Sequence, residues 1–324
     1  MRTLLVSTDG GHLSELVAVA ERLPADVVDN AVWACIDSVH SRSVLSGKRA
    51  EFVPRVKPKD YVAVMRSIPV AHRLHRKYRF DQVISTGSGI ALSYLPYLRL
   101  RGVKAHYVES ATRLTEPSVA GRVLQRVPGI NLYTQYENLA DSRWHYAGWV
   151  YDRFRSTAIT PPPLKRAVVV LGTMRSYEFR RFLEYVVPLL GRGGALEQAQ
   201  GFPVETLWQT GITPTDGYDI DAHAFVPSHE LDAAIADADL VIGHAGAGTT
   251  LTALTAGRFP VLVPRAAAKS ENMDDHQQLF ARLLDERGIA MHREPETLTA
   301  DDLVAAASRR VEVDPDPEPF RLLL

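Results

Sequence analysis

The chain has 324 residues, 46% of them hydrophobic and 23% charged, which is typical of a folded globular protein and excludes a disordered or collagen-like one. Its single cysteine, Cys35, excludes an intrachain disulfide and a Cys-x-x-Cys metal knuckle. The formal charge of −1, from 37 Lys+Arg against 38 Asp+Glu, excludes a generally basic nucleic-acid binder.

The two halves of the chain differ in charge. Residues 1–160 hold 22 Lys+Arg against 14 Asp+Glu, a balance of +8, whereas residues 161–324 hold 15 against 24, a balance of −9. This asymmetry indicates two domains with different partners. The apolar run near residues 4–6 is too short for a signal peptide, and no run of about 18 apolar residues predicts a membrane-spanning helix. We expect a cytoplasmic protein.

In the first half, short apolar runs typical of buried strands alternate with longer segments of helical spacing. Strands are predicted at residues 3–7, 31–36, 82–85 and 104–108, and helices at 12–23, 60–79 and 90–100. Such alternation predicts βαβ units with right-handed connections and a parallel sheet.

A run of three prolines at residues 161–163 interrupts this pattern, since proline continues neither a helix nor a central strand. The pattern then restarts, with strands predicted at 167–171, 204–209, 222–226, 240–243 and 261–263, and helices at 177–190, 230–236, 249–256 and 275–286. We therefore predict an α/β protein of two doubly wound, Rossmann-like domains that face a cleft. The predicted boundaries are 1–159, a linker at 160–163, 164–313 and an acidic, proline-rich tail at 314–324. The tail either packs back on the first domain or is disordered.

A glycine-rich turn follows the predicted strand at 240–243, in residues 241–250, which read VIGHAGAGTT. Glycines let backbone N–H groups approach a ligand, and a helix N-terminus attracts anions. The donors that converge there predict a phosphate or diphosphate site; they are His244, Gly246, Gly248, Thr249 and Thr250. The alternative is an ordinary strand–turn–helix corner, because Leu251 stands where a dinucleotide fingerprint has its third glycine.

Polar residues also mark the start of the helix predicted at 275–286. Asp275, His276, Gln277 and Gln278 suit hydrogen bonds to sugar hydroxyls. The alternative is a capping box, with Asp274 as the N-cap and Gln277 at the third helical position.

Three features of the first domain lie where strands end. Gly10, Gly11 and His12 follow the first strand, and a histidine suits a general base at neutral pH. Glu109 follows the strand at 104–108, where it orients His12 or binds an acceptor hydroxyl. A glycine turn follows the strand at 82–85 and comprises Thr86, Gly87 and Ser88. The alternatives are a packing or capping histidine, a solvated glutamate at a strand end, and close helix–sheet packing at the glycines.

Several segments together resemble one enzyme family. Residues 10–15 (GGHLSE), 84–89 (ISTGSG) and 107–110 (YVES) resemble the membrane-side subunit of the eukaryotic UDP-N-acetylglucosamine transferase of dolichol-linked glycan assembly. Residues 244–248 (HAGAG) and 275–277 (DHQ) resemble its catalytic partner subunit. The chain is similar to a fusion of the two, as in the bacterial lipid II-forming and capsular polysaccharide transferases. These are family 28-type glycosyltransferases with the GT-B fold.

The resemblance implies a role for each matching position. The donor diphosphate would be held by His244, Gly246, Gly248, Thr249 and Thr250, with Gly172 and Thr173 on a facing loop. Phe225 and Val226 would lie against the nucleobase, and the donor sugar would be held by Asp275, His276, Gln277 and Gln278. His12 and Glu109 would be catalytic, and the acceptor-side turns would be those of Gly10, Gly11, Thr86, Gly87 and Ser88.

The implied reaction is an inverting, metal-independent transfer of a hexose-type sugar from a nucleotide diphosphate sugar to a hydroxyl of a lipid-linked or small-molecule glycan. No cofactor is expected, and the resemblance assigns no metal role to any Asp-x-Asp pair. Thr252 stands where the family commonly has a ribose-binding glutamate, so a UDP-sugar is expected and a dTDP-sugar stays open. The alternatives are a nucleotide-sugar 2-epimerase and a non-catalytic nucleotide-sugar binding subunit.

A basic segment suggests a membrane partner. Residues 55–80 contain eight Lys+Arg against one acid, Asp60, with apolar residues between them, and residues 94–101 mix aromatics, leucines and arginines. Such surfaces attract anionic lipid headgroups and suit an acceptor carried on a polyprenyl diphosphate. We therefore expect peripheral contact with the inner face of a membrane and no nucleic-acid partner. The alternative is a solvated helix face.

Overall fold

The computed structural model describes residues 1–56, 60–172, 177–272 and 274–324. These residues form two compact units. The first comprises residues 1–152 together with 316–324, and the second comprises residues 153–315.

The first unit is built on a wholly parallel sheet. Its strands within the described residues are β1 (Thr3–Ser7), β2 (Val32–Ile36), β3 (Ala50–Val53), β4 (Gln82–Gly87), β5 (Lys104–Val108), β6 (Ile130–Thr134) and β7 (Trp144–Tyr146), in the order β3-β2-β1-β4-β5-β6-β7. The four strands predicted from the sequence are confirmed. The pattern misses β3, β6 and β7. The edge strands β3 and β7 are short and have side chains that are partly exposed to solvent.

Helices connect these strands. They are α1 (Gly11–Ala20), α2 (Ala25–Val28), α3 (Val39–Val44), α4 (Tyr61–Tyr78), α5 (Gly89–Leu100) and α6 (Val119–Leu124). Most of α5 is buried, and its Tyr94, Leu95 and Leu98 pack in the core beside Tyr107 of β5. Because apolar side chains line both strand faces and this helix, the sheet is buried as a parallel sheet requires.

The second unit repeats the architecture. Its parallel strands within the described residues are β9 (Arg166–Val170), β10 (Glu205–Gln209), β11 (Ala222–His223), β12 (Leu240–Gly243), β13 (Pro260–Leu262) and β14 (Met291–His292), in the order β11-β10-β9-β12-β13-β14. A separate antiparallel pair joins β8 (Phe154–Ala158) to β15 (Arg309–Val313). The helices are α7 (Arg180–Leu190), α8 (Ala195–Gln200), α9 (Ser228–Asp237), α10 (Ala247–Thr255), α11 (His276–Glu286) and α12 (Ala300–Ala307). The α/β class with parallel sheets is therefore confirmed.

The division of the chain differs from the predicted linker at 160–163. The second unit already begins at Arg153, because β8 pairs with β15. The three prolines thus lie inside the second unit, between β8 and β9.

The tail beyond Pro315 belongs to the first unit. Phe320 is buried there, with the Arg22 guanidinium 4.7 Å from its ring centroid. Arg22 Nε donates to the Glu318 carbonyl at 2.7 Å, and the Leu323 N–H donates to the Tyr133 hydroxyl at 2.9 Å. Of the two alternatives for the tail, packing on the first domain is therefore the correct one.

Each sheet has one point where the strand order reverses. In the first unit the reversal lies between β1 and β4, and in the second it lies between β9 and β12. Ligands of open α/β sheets bind beyond the carboxyl ends of strands at such points. His12 follows β1, and Gly172 and His244 follow β9 and β12, so the predicted sites lie at the two reversals.

Candidate functional site

In the first unit, His12 is in direct contact with the end of β4, which extends to Gly87 and so includes two residues of the predicted turn. His12 Nδ1 lies 3.0 Å from the Thr86 carbonyl oxygen, and the Thr86 hydroxyl donates to the His12 carbonyl at 2.6 Å. Because a carbonyl can only accept, Nδ1 carries the hydrogen and Nε2 keeps the lone pair. That tautomer is the one a general base needs. Gly87 has φ +119°, and a Cβ there would lie 3.2 Å from the Tyr107 hydroxyl and in ordinary contact, at 3.5 Å, with His12 Cε1.

The other predicted acceptor-side residues form the adjoining turns. Gly10 has φ +72° and precedes α1, which begins at Gly11. Ser88 has φ +66° and precedes α5. Positive φ values at both turns are costly for most residues and occur where a tight strand-to-helix connection is required. These residues thus bring the N-termini of α1 and α5 to the edge of the sheet.

Glu109 is buried, so the alternative of a solvated strand end is wrong. Its carboxylate accepts hydrogen bonds from the Tyr107 hydroxyl at 3.1 Å, the Ser110 N–H at 3.1 Å, and the Ser118 N–H and hydroxyl at 2.9 and 3.0 Å. Burial raises the pKa of Glu109 despite these donors. Each oxygen already accepts two bonds, and one partner is the N-cap of α6. The carboxylate therefore holds the segment before α6, and its catalytic role stays a prediction.

A second buried carboxylate lies one helical turn beyond His12. Glu15 is 1% exposed and accepts from the Ser110 hydroxyl at 2.7 Å and the Ala111 N–H at 3.0 Å. Burial is the main cause that raises its pKa to about 7, and the nearby Glu109 adds to the rise. Sequence reasoning assigned it no role. The sequence does carry a signal for this burial, because Glu15 is a charged residue directly before Leu16 on the buried face of α1.

In the second unit, the imidazole of His244 lies between two of the predicted glycines. A Cβ at Gly172 would lie 2.6 Å from His244 Cε1, and one at Gly246 would lie 2.5 Å from Nε2. The ring donates from Nδ1 to the Val170 carbonyl at 3.1 Å. Burial, followed by the positive charge of Arg265, lowers the pKa of His244 to about 4. The two glycines therefore make room for a neutral ring, a reason that sequence reasoning did not anticipate.

The helix α10 begins beside this ring, with Gly246 as its N-cap and with Gly248 and Thr249 in its first turn. Its N-terminal amides and dipole favour an anion. The Thr250 hydroxyl, however, donates to the Gly246 carbonyl at 2.9 Å, and the residue is 1% exposed. That hydroxyl stabilises the first turn of the helix, and its predicted contact with a diphosphate stays a prediction.

The polar cluster before α11 supports its own loop. The Asp275 carboxylate accepts from the Ala267 N–H at 2.8 Å. The side chain of Gln277 is buried, and its Oε1 lies 3.4 Å from the backbone nitrogen of Arg265. His276 is hydrogen-bonded to Asp274, while Gln278 is half-buried. The N-cap of α11 is Asp275, without a side-chain cap bond, so the capping box predicted with Asp274 is wrong.

The predicted nucleobase segment follows β11. Phe225 is 42% exposed, and the Val226 N–H donates to Gln209 Oε1 at 2.9 Å. An exposed aromatic ring beside a fixed backbone suits the flat face of a base.

Thr173 lies outside the described residues. Within the described ranges, no group of three or more His, Cys, Asp and Glu side chains is arranged to hold a metal ion, and metal independence stays a prediction.

Residues 184–310 match the model of the glycosyltransferase family 28 C-terminal domain. The chain is a glycosyltransferase whose second half is similar to the family 28 C-terminal domain. It is 28% identical over 281 residues to the UDP-N-acetylglucosamine--N-acetylmuramyl-(pentapeptide) pyrophosphoryl-undecaprenol N-acetylglucosamine transferase of Anaeromyxobacter sp. (strain Fw109-5). That match covers 79% of this chain and 67% of the relative, whereas two further relatives of the same name are covered over 40% and 30% of their lengths.

Solved structures confirm the GT-B fold. Acinetobacter baumannii MurG has a TM-score of 0.55 at 19% identity, with 94% of this chain and 89% of that chain covered. The Streptomyces sp. SF2575 glycosyltransferase SsfS6, complexed with thymidine diphosphate, has a TM-score of 0.53 at 17% identity, with 95% and 90% covered. The family match and the curated relatives confirm a glycosyltransferase, and the 2-epimerase alternative is not supported. The predicted cleft between the domains stays a prediction.

No helix in the described part of the chain has both the length and the apolar composition to cross a bilayer. In the segment at 94–101, predicted to contact a membrane, Tyr94, Leu95 and Leu98 are buried, whereas the last three residues are exposed. Contact of this segment with a membrane stays a prediction. Leu100 alone among its large apolar residues is strongly exposed, at 86%.

Proposed function

We propose that the protein is an inverting, metal-independent glycosyltransferase that moves a hexose-type sugar from a nucleotide diphosphate sugar to a hydroxyl of a lipid-linked glycan. The observation that carries the proposal is the His244 imidazole, held between Gly172 and Gly246 beside the N-terminus of α10. Curated relatives are named as acting on a pyrophosphoryl-undecaprenol acceptor, which supports an acceptor of this class.

The donor half stabilises the departing diphosphate. Negative charge develops there as the bond to the anomeric carbon breaks, and the N-terminal amides of α10 are already oriented to meet it. His244 is neutral in the free protein, with Nε2 lacking a hydrogen. An anion beside the ring raises its pKa, so nucleotide binding is accompanied by proton uptake that turns Nε2 into a donor.

The acceptor half supplies the base. The Thr86 carbonyl fixes the His12 tautomer, so Nε2 accepts the proton from the attacking hydroxyl. His12→Gln should abolish transfer while UDP still binds with unchanged affinity in calorimetry. The matched control is His145→Gln, an exposed histidine of the same unit, which should transfer at the wild-type rate. Unchanged transfer in His12→Gln would remove this histidine from the role of base.

The choice of nucleotide depends on Thr252, which is half-buried in α10. A threonine hydroxyl accepts more weakly from two ribose hydroxyls than a carboxylate does, so the 2′-hydroxyl contributes little to binding. UDP and dTDP should therefore bind within about tenfold of each other, a difference of about 1.4 kcal/mol. Thr252→Glu should shift the preference toward UDP. A strong wild-type preference for UDP would show that another group reads the ribose.

An exposed apolar face of α4 supports contact with a membrane. Tyr61, Val62 and Met65 are 60%, 59% and 65% exposed, and α4 also carries Arg66, Arg73, Arg76 and Lys77. A basic helix with an apolar face lies in the headgroup region of an anionic bilayer. This surface suits an enzyme whose acceptor is held in a membrane by a polyprenyl chain.

Co-sedimentation with vesicles tests the membrane surface. Binding should be stronger to phosphatidylcholine vesicles that contain phosphatidylglycerol than to phosphatidylcholine alone. Val62→Asp should weaken it several-fold, whereas Ile212→Asp, an exposed apolar position of the second unit, should not. Equal binding of both variants would refute α4 as the contact.

A further inference from the structure

A buried arginine lies next to the donor site of the second unit. Arg265 follows β13 and is 2% exposed, among the largest fully buried side chains of the protein. Arginine is almost never fully buried without a partner, because removing a guanidinium from water costs several kcal/mol. Burial lowers its pKa to about 10, which still leaves it charged at neutral pH. The position therefore needs a reason beyond filling space.

The guanidinium holds three separate chain segments through their carbonyls. Nη2 donates to the Leu171 carbonyl at 2.9 Å, and Nη1 donates to the Tyr177 and Glu178 carbonyls, each at 3.0 Å. Nη1 also lies 3.4 Å from the Glu271 carbonyl oxygen. The Phe179 ring packs against the guanidinium, with its centroid 5.0 Å from the guanidinium carbon. Leu171 directly follows β9, and the Tyr177 and Glu178 carbonyls directly precede α7. The side chain thus fixes these segments relative to β13.

These bonds leave the positive charge without a dedicated carboxylate. The carbonyl partners are neutral, and the nearby Glu271 is engaged by Arg181 in two bonds of 2.8 Å. Glu271 also accepts from the Ala266 N–H at 2.9 Å. Glu271 also acts on Arg265 electrostatically, since its negative charge opposes the lowering of the Arg265 pKa by burial. The charge of Arg265 in turn acts on His244.

Three parts of the predicted donor site meet Arg265. Its carbonyl partner Leu171 adjoins Gly172, on which the His244 ring rests. Its own N–H lies 3.4 Å from Gln277 Oε1. Its charge also acts on His244, as does His276. The side chain thus connects the loop and the imidazole, and it reaches the segment before α11 through the Glu271 carbonyl at 3.4 Å, while its backbone N–H contacts α11.

We propose that Arg265 is a positioning residue of the donor site, which holds the segments around Gly172 in place and keeps a permanent positive charge near the imidazole that meets the nucleoside diphosphate. This inference rests on the proposed function. The charge acts in a low-dielectric interior, so it attracts the diphosphate without touching it. The four donors of its two terminal nitrogens cannot be replaced by the single ammonium group of a lysine.

Two substitutions separate the two parts of the proposal. Arg265→Met removes both charge and carbonyl contacts, and should weaken UDP binding at least tenfold in calorimetry. It should also move the pH dependence of UDP binding to higher pH, because His244 is then protonated more easily. Arg265→Lys keeps the charge and should retain the wild-type pH dependence with a several-fold loss of affinity. Arg192→Met, which removes an exposed charge of the same unit, should bind UDP as the wild type does.

Other outcomes overturn the inference. If Arg265→Met is folded by circular dichroism and binds UDP with wild-type affinity and pH dependence, the residue is merely structural. If Arg265→Met does not fold, Arg265→Lys provides the test. A pH dependence of UDP binding in Arg265→Lys that differs from that of the wild type would refute the role of the Arg265 charge. Wild-type affinity in Arg265→Lys refutes the positioning role. If the wild type binds neither UDP nor dTDP, the donor site itself is wrong, and both proposals fail together.

Discussion

Gly172 and Gly201 have nearly the same backbone conformation, with φ +78° and +79°, but different surroundings. A Cβ at Gly172 would lie 2.6 and 2.7 Å from His244 Cε1 and Nε2, whereas a Cβ at Gly201 would meet nothing within 4 Å. An alanine at either position pays the left-handed cost of about 1–2 kcal/mol. Only an alanine at Gly172 also overpacks the ring, at a further cost of about 1–3 kcal/mol.

Gly172→Ala should therefore lower the free energy of unfolding by about 2–5 kcal/mol, against about 1–2 kcal/mol for Gly201→Ala. Urea unfolding of both variants measures the difference, and UDP calorimetry should show weaker binding for Gly172→Ala alone. In a double-mutant cycle with His244→Ala, the overpacking part should disappear, because the ring is gone. Equal losses in the two glycine variants would mean that the imidazole does not rest on Gly172.

Three further changes have defined outcomes. Gly246→Ala has an ordinary φ of −79° and a Cβ 2.5 Å from His244 Nε2, so urea unfolding should show a steric loss of about 1–3 kcal/mol and no backbone cost. Burial raises the pKa of Glu15 from 4.5 to about 7, so the folded state binds the extra proton, and the contribution of Glu15 to stability should fall by on the order of 3 kcal/mol as the pH rises through that window. The buried His244, with a pKa lowered to about 4, changes stability in the opposite direction, so the comparison is between Glu15→Gln and the wild type. In urea unfolding, Glu15→Gln should gain stability relative to the wild type between pH 5 and pH 8, and an unchanged difference would contradict the assignment. Phe320→Ala should lower the thermal midpoint by removing a buried ring stacked on Arg22, at a cost of about 3 kcal/mol, whereas an unchanged midpoint would mean that the tail is not docked.

The pattern of buried strands was readable from the sequence because a parallel sheet is apolar on both faces. The run at 240–243 and the glycines after it predicted both β12 and the start of α10. Edge strands escaped that reasoning, since β14 has two half-buried residues and no continuous apolar run. The pairing of β8 with β15 joins residues about 150 positions apart, and no local pattern encodes such a pairing.

By itself the sequence determined the α/β class, the two-part organisation and the location of His12 and His244 at strand ends, because these follow from local periodicity and from glycine chemistry. The tertiary structure alone decided what those residues touch. It placed the glycines against an imidazole, buried Glu15 and Glu109 together, and set Arg265 against four carbonyls. Such contacts join residues distant in the chain, and their energies depend on burial, which appears only when the sheets are assembled.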